Sequence, residues 1–369
     1  MTTAVIVGGG VIGLLTAREL LAGGMQVTLV DKADTGAEAS WAGGGIVSPL
    51  YPWNYVPAIS ALASWAQSVY PDLIQMLRQE TGIDPQLNPC GLLMLDPPEA
   101  EQALCWARQF GKNMQRVDAD FVAQREPAAT ADFSDALWLP YVSNVRNPRL
   151  LQALKASLLR HPAFTLLCNR PVLAIEQTQQ GSAAVVCAER RLIADQVVVC
   201  AGAWSASLLQ QAGCDLPIVP VRGQMLLFDS RPGLIHSIIL KDGKYLIPRL
   251  DGHILVGSTT EEVGFDKTTT DEARELLLSH AFDMVPVLRD VPVVKQWAGL
   301  RPGSPGGLPF IGRIPGWNNL HVNAGHYRNG LVLAPASARL MADLLLQRAP
   351  VVDPAPYDPA GVRAVMAMV

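Results

Sequence analysis

Two spacings of apolar residues alternate along the chain. Short unbroken apolar runs read as buried strands: Thr3–Val7, Gln26–Val30, 197–204 and 319–324. Stretches 14–21, 55–81, 97–110 and 331–347 repeat their apolar residues at helical spacing, and Arg339 and Asp343 mark the wet face of the last. The middle of the chain is richer in strands: Leu92–Leu95, 136–142, Val219–Phe228, 235–240, Lys244–Pro248 and Ile254–Gly257. Asp251-Gly252 between the last two is a hairpin signal. The α/β segments (1–85, 147–217, 298–369) therefore sandwich strand-rich segments (86–146, 218–297). This predicts two interleaved, discontinuous domains, the first of which binds a nucleotide and the second a substrate.

Composition narrows the class. The chain has 369 residues, 49% hydrophobic and 17% charged, which is globular and large enough to bury its cores without staples. Its net charge of −4 argues against nucleic acid or an anionic membrane as a partner. None of the six cysteines lies in a C-x-x-C pair, and the six histidines have no metal-ligand spacing, so no metal is expected. No basic segment precedes the first apolar run, and no clean stretch spans a membrane, which predicts a cytoplasmic protein.

The N-terminus carries the first chemistry. The strand Thr3–Val7 runs into Gly8-Gly9-Gly10-Val11-Ile12-Gly13, a G-x-G-x-x-G turn, then a helix, then a strand ending in Asp31. That succession within about 30 residues is what a dinucleotide-binding unit requires. Gly8 permits the tight turn, Gly10 lets backbone approach a pyrophosphate, and Gly13 lets the helix pack against the strand. The amides of Val11, Ile12 and Gly13 offer donors at the positive end of the helix. Asp31 suits ribose hydroxyls and repels a 2′-phosphate, which argues against NADP.

The far end favours a flavin over NAD. After the run 319–324, Gly325-His326-Tyr327-Arg328-Asn329-Gly330 forms a turn into a second helix start. A reduced flavin carries negative charge on its pyrimidine edge, which a helix N-terminus stabilises. A plain turn between core elements is the competing explanation. Only one complete phosphate fingerprint is visible, so electrons are expected from a small substrate and not from NADPH.

The pieces GGGVIG (8–13), Asp31, WAGGG (41–45), CAGAW (200–204), VRGQ (221–224), WAGLRP (297–302), LPFIGR (308–313) and GHYRNGLVLAP (325–335) follow in order over nearly the whole chain. Together they resemble the D-amino-acid oxidase superfamily of FAD-dependent amine oxidases, and within it the bacterial glycine oxidase branch. The resemblance implies a Rossmann-type FAD-binding domain interleaved with an antiparallel-sheet substrate domain. It implies non-covalent FAD, with further contacts from Lys32, Ala39, Ser40, and the Gly44-Gly45-Ile46 backbone beside the ring. Val172 falls where backbone meets the adenine, and His326, Tyr327, Arg328, Asn329, Gly330, Leu331 and Val332 fall around the pyrimidine edge. Relatives often carry a bulky side chain at Gly45 or Ile46, so the pocket wall is expected to differ here. A homotetramer is also implied.

An amino acid presents a carboxylate, and planar bidentate recognition calls for an arginine. Arg301, read as sitting in a Gly/Pro-rich loop at 299–303, matches the family's carboxylate-binding position; the alternative is a surface or ion-paired arginine. Tyr245 matches a tyrosine that helps hold the carboxylate, against a purely packing role. Arg328 is placed to touch substrate, cap the site or hold its loop. His326 is read as structural and not as a base, because the implied chemistry needs none. That chemistry is hydride transfer from Cα of glycine, sarcosine or a D-alanine-like substrate to flavin N5. Keto acid (glyoxylate from glycine), ammonia and H2O2 follow, in service of thiamine (thiazole) biosynthesis or amino-acid catabolism. A sarcosine oxidase, a D-amino-acid dehydrogenase with another electron acceptor, an NAD-dependent dehydrogenase and a non-catalytic nucleotide-binding module are the alternatives.

Overall fold

The computed structural model describes residues 1–179 and 181–361. Its first sheet has six strands in the order Phe310–Arg313, Leu320–Ala324, Gln196–Val199, Thr3–Val7, Gln26–Val30 and Phe164–Leu167. All neighbours are parallel except the first pair. The strands at its centre are mostly apolar and buried because both faces are covered. On one face lie the helices Val11–Ala22, Pro57–Thr81, Asn147–Leu159 and Gly330–Leu345, packed through Leu14, Leu62, Leu154 and Leu333. On the other face, Val5, Val197 and Val322 meet Ile175 and Val185 of a three-stranded antiparallel sheet, Val172–Gln177, Ala183–Cys187 and Arg191–Ile193.

The second large sheet has eight strands: Val293–Gly303, Val219–Phe228, Ile254–Gly257, Lys244–Pro248, Ile238–Lys241, Leu92–Leu95, Ala136–Leu139 and Gln115–Arg116. It is antiparallel apart from one parallel pair, Ile238–Lys241 with Leu92–Leu95, where the two substrate-side chain segments meet. The helix Asp271–Met284 covers one face through Leu277 and Ala281. Gly252, at φ +96°, closes the expected hairpin, and its N–H donates to the Arg249 carbonyl.

One element departs from the sequence reading. Residues 299–303 are not a loop: they end the strand Val293–Gly303, which pairs along its length with Val219–Phe228 and sets Pro302 opposite Pro220. Glycine and proline depress strand propensity, and the long partner strand overrides it. This strand also crosses the expected boundary at 297/298, so the second sheet itself delivers Arg301. Among the described residues, no helix is long and apolar enough to cross a membrane.

The first turn shows why its glycines are glycines. A Cβ on Gly13 would lie 1.9 Å from the Gly8 carbonyl oxygen, and one on Gly8 would lie 2.5 Å from that of Cys200. Gly13→Ala is therefore expected to destabilise the protein by about 1–3 kcal/mol despite alanine's better helix propensity. Urea unfolding of the two proteins checks this, and equal midpoints would contradict it.

Candidate active site

One large cavity, of about 360 Å³, runs between the two sheets. At one end it is walled by the first glycine turn, Asp31, Lys32 and Val172, and at the other by Tyr245, Ser258 and Arg301. The start of the second helix, Asn329, Gly330 and Leu331, also faces it. Two helix N-termini, from the two ends of the chain, thus open on one space.

At the nucleotide end, Gly10 precedes the helix Val11–Ala22, whose first internal bond runs from Leu14 N–H to the Gly10 carbonyl. The Val11 amide donates to Ser40 Oγ at 2.9 Å. Asp31 accepts from Gly9 N–H at 2.6 Å and Ala33 N–H at 2.9 Å, so it braces the glycine turn as well as facing the cavity. Burial raises its carboxyl above the ordinary value, and these backbone hydrogen bonds oppose the rise. Lys32 stands 3.1 Å above the ring of Trp204, the last residue of the CAGAW run, all of which lines the cavity.

Three asparagines show that the cavity fits a polar guest. Asn147 Oδ1, Asn323 Oδ1 and Asn329 Nδ2 are buried without a hydrogen-bond partner, and all three residues line it. Buried polar atoms left unpaired cost about 1–3 kcal/mol each, a cost a ligand relieves. A long cavity, a glycine turn at a helix start, an acid ending the second strand and these unpaired atoms together suit a dinucleotide.

Most expected cofactor residues line this cavity: Gly8, Gly10, Val11, Ile12, Asp31, Lys32, Ala39, Ser40, Gly44, Gly45, Ile46, Val172, and 326–331. Two do not. Gly13 works by close packing, as its spacing predicted. Val332 is a correction: it lies in the helix core, 1% exposed, because the helix turns that face away from the cavity. Gly45 has φ +83°, and a Cβ there would sit 2.0 Å from the Val145 carbonyl oxygen, so the backbone itself bars a bulky residue. Only Ile46 offers a side chain to that wall.

At the substrate end, Arg301 is half-buried and, among the described residues, has no acidic partner. Its Nη1 donates to the Thr259 carbonyl at 3.1 Å and the Arg222 carbonyl at 3.4 Å, and its Nη2 donates to Ser258 Oγ at 2.6 Å. Those bonds occupy three of its five N–H groups. Burial lowers its pKa. Arg222, on the neighbouring strand, is paired with Glu261 and Asp266. Of these two arginines, Arg301 is the one without a carboxylate among the described residues. Gly223 makes its place, since a Cβ there would be 2.2 Å from Nη1. Gly223 is opposite Gly299 in the register, diagonal to Arg301 on the same face.

Tyr245, 7% exposed, donates from its hydroxyl to Ser258 Oγ at 3.2 Å beside that guanidinium. Ser258 was missed in the sequence because an isolated serine carries no pattern. Arg328 is exposed on the cavity wall. His326 is buried with Nε2 3.0 Å from Ser337 Oγ, and burial pushes its pKa down to about 3, so it is neutral in the working range and cannot take up a proton there.

The fold and cavity are those of a dinucleotide-dependent oxidoreductase. The chain belongs to the FAD dependent oxidoreductase (DAO) family, whose model matches residues 3–344. It is 50% identical to the glycine oxidase of Pseudomonas aeruginosa over 97% of this chain and 98% of that protein. It is 30% identical to the bifunctional protein ThiO/ThiG of Synechocystis sp. over 93% of this chain and 51% of that protein. The crystal structure of glycine oxidase from Geobacillus kaustophilus superposes with a TM-score of 0.91 at 28% identity, covering 97% of this chain and 98% of that one. The protein is thus an FAD-dependent enzyme of α/β fold.

The depressed His326 gives a pH signature. An unfolded histidine binds a proton below about 6.5 while this one stays neutral, so stability falls as pH drops. Between pH 7 and 5 the loss from this residue is about 2 kcal/mol. Comparing urea unfolding of the parent and His326→Asn at both pH values checks it: the variant's stability should fall less.

Proposed function

We propose that this enzyme oxidatively deaminates glycine and similarly small amino acids, with sarcosine and D-alanine in the same class. The overall change is amino acid + O2 + H2O giving keto acid, ammonia (methylamine from sarcosine) and H2O2, with glyoxylate from glycine. Bound FAD supplies the acceptor for the hydride leaving Cα and passes the electron pair to O2. The observation that carries the reading is the half-buried guanidinium of Arg301, without an acidic partner among the described residues, in the family's cofactor cavity.

In this reading the free N–H groups of Arg301 clamp the substrate carboxylate side-on, and the Tyr245 hydroxyl turns its one O–H from Ser258 Oγ to the same group. Clamping one end fixes Cα, so rate comes from position, within about 3–3.5 Å of the acceptor atom. The amine enters neutral, its lone pair assisting loss of hydride, and the resulting imino acid is hydrolysed. The acidic lining residues, Asp31 and Glu38, lie toward the nucleotide end, and His326 holds no proton to exchange, so no side chain is assigned as a base. Arg328, exposed at the wall, is proposed to draw the substrate carboxylate inward.

The first glycine turn, Asp31, Lys32, Ala39, Ser40 and Val172 are proposed to hold the adenosine diphosphate portion, with Gly44, Gly45, Ile46 and 326–331 around the ring. The two-domain division is retained, with its last junction moved beyond Gly303 because the strand Val293–Gly303 is unbroken. The bifunctional relative supports a biosynthetic outlet for the product, thiazole formation being the one the resemblance implies. A cytoplasmic homo-oligomer completes the proposal, and light scattering reads its size.

Anaerobic titration of the yellow protein with glycine, sarcosine and D-alanine tests the reaction: bleaching of the flavin band is expected, then H2O2 on admitting air. A flavin that none of them reduces would refute the substrate class, and reduction without H2O2 would make it a dehydrogenase. Arg301→Lys loses the planar fork, and KM should rise at least about tenfold while FAD stays bound. Tyr245→Phe should act mainly on KM; steady-state kinetics separates this from a fall in kcat.

A further inference from the structure

The Gly44–Gly45 peptide forms part of the cavity wall, and a second buried arginine holds it from behind. Arg249, just beyond the strand Lys244–Pro248, is buried and does not line the cavity. Its Nη2 donates to the Gly44 carbonyl at 2.9 Å, and its Nη1 donates to the Val145 carbonyl at 2.9 Å and to Asn144 Oδ1 at 3.0 Å. Every acceptor is neutral. Asp251, two residues on, is engaged by Arg146 and His253. Burial pushes the guanidinium's pKa down to about 10. A cation kept in such a place costs free energy that neutral acceptors only partly offset.

Peptide geometry says what that charge faces. In a planar trans peptide the C=O and the following N–H point in opposite directions. With the Gly44 oxygen drawn back to Arg249, the Gly45 N–H is turned toward the cavity. Gly45 is fixed on its other side as well, since its carbonyl accepts from Val145 N–H at 2.8 Å.

We propose that Arg249 is a positioning residue: it holds the Gly44–Gly45 peptide with its N–H facing the flavin ring, and its charge polarises that N–H toward the electron-rich reduced cofactor. The inference rests on the FAD-dependent amine-oxidase reading above. A donor already aimed where negative charge develops, and backed by a buried cation, needs no reorganisation during reaction.

The test uses the holoenzyme and three variants. Arg249→Met removes the charge, Arg249→Lys keeps it, and Asn144→Asp sets a carboxylate against it at nearly unchanged shape. Sulfite affinity, read from bleaching of the flavin band without substrate, and the flavin midpoint potential report charge stabilisation on the ring. Arg249→Met should weaken sulfite binding and slow flavin reduction about tenfold each, the size of one charge-assisted hydrogen bond, with KM nearly unchanged. Arg249→Lys should recover part of the loss, and Asn144→Asp should reproduce it with FAD retained. Unaltered sulfite affinity and potential in Asn144→Asp overturn the proposal even where Arg249→Met does not fold. A parent protein that takes up no FAD sinks the functional reading itself, whereas a parent reduced by glycine alongside unchanged variants sinks only Arg249.

Discussion

The site depends on a guanidinium that its own protein does not neutralise. Arg301 is half-buried among carbonyls and one hydroxyl, while neighbouring Arg222 has two carboxylates. A partly desolvated charge without a counter-charge is stable only where other contacts hold it, here the strand pair Val219–Phe228 and Val293–Gly303. Those strands supply the carbonyls and, at Gly223, the space. On the proposed reading, an anion from outside completes this pocket, and selectivity begins before any chemistry.

The same logic of absent atoms shapes the rest of the cavity. Gly13 lets the first helix sit on its own turn, and Gly45 lets the wall segment pass against the Val145 carbonyl. Each exchanges a side chain for a backbone approach, which brings N–H donors to a ligand at fixed positions. Because the two helix starts rise from one packed layer, with Asn323 Nδ2 bonded to both Thr16 Oγ1 and the Ser337 carbonyl, their spacing is set by the core and not by loops.

What the sequence made legible follows from range. The first strand, glycine turn, helix and Asp31 are contiguous, so local pattern fixed their roles, and Tyr245 fell on a run with clear strand spacing. Arg301 was recognisable as an arginine for a carboxylate, but its strand was not, because Gly299, Pro302 and Gly303 read as a break until the partner strand is known. Ser258, Asn147 and Arg249 reach the cavity or its wall through contacts between residues far apart in sequence, which no periodicity records. One signal was present: VRGQ and WAGLRP each carry a glycine, and pairing Gly223 with Gly299 would have shown the hollow that Arg301 fills.

The charges along the cavity can then be ordered. The carboxylates, Asp31 and Glu38, sit toward the nucleotide end, where Asp31 meets backbone amides and Glu38 meets Lys32 and Lys267. Arg301 and Arg328 lie on the substrate-side wall, Arg249 stands behind it, and neutral His326 adds nothing to the balance. On the proposed reading, a field of that sign would favour a bound carboxylate and disfavour a protonated amine beside it, the neutral amine being the form from which hydride can leave. Charge placement, and not a dedicated base, is then what the proposed reaction relies on to keep the amine neutral.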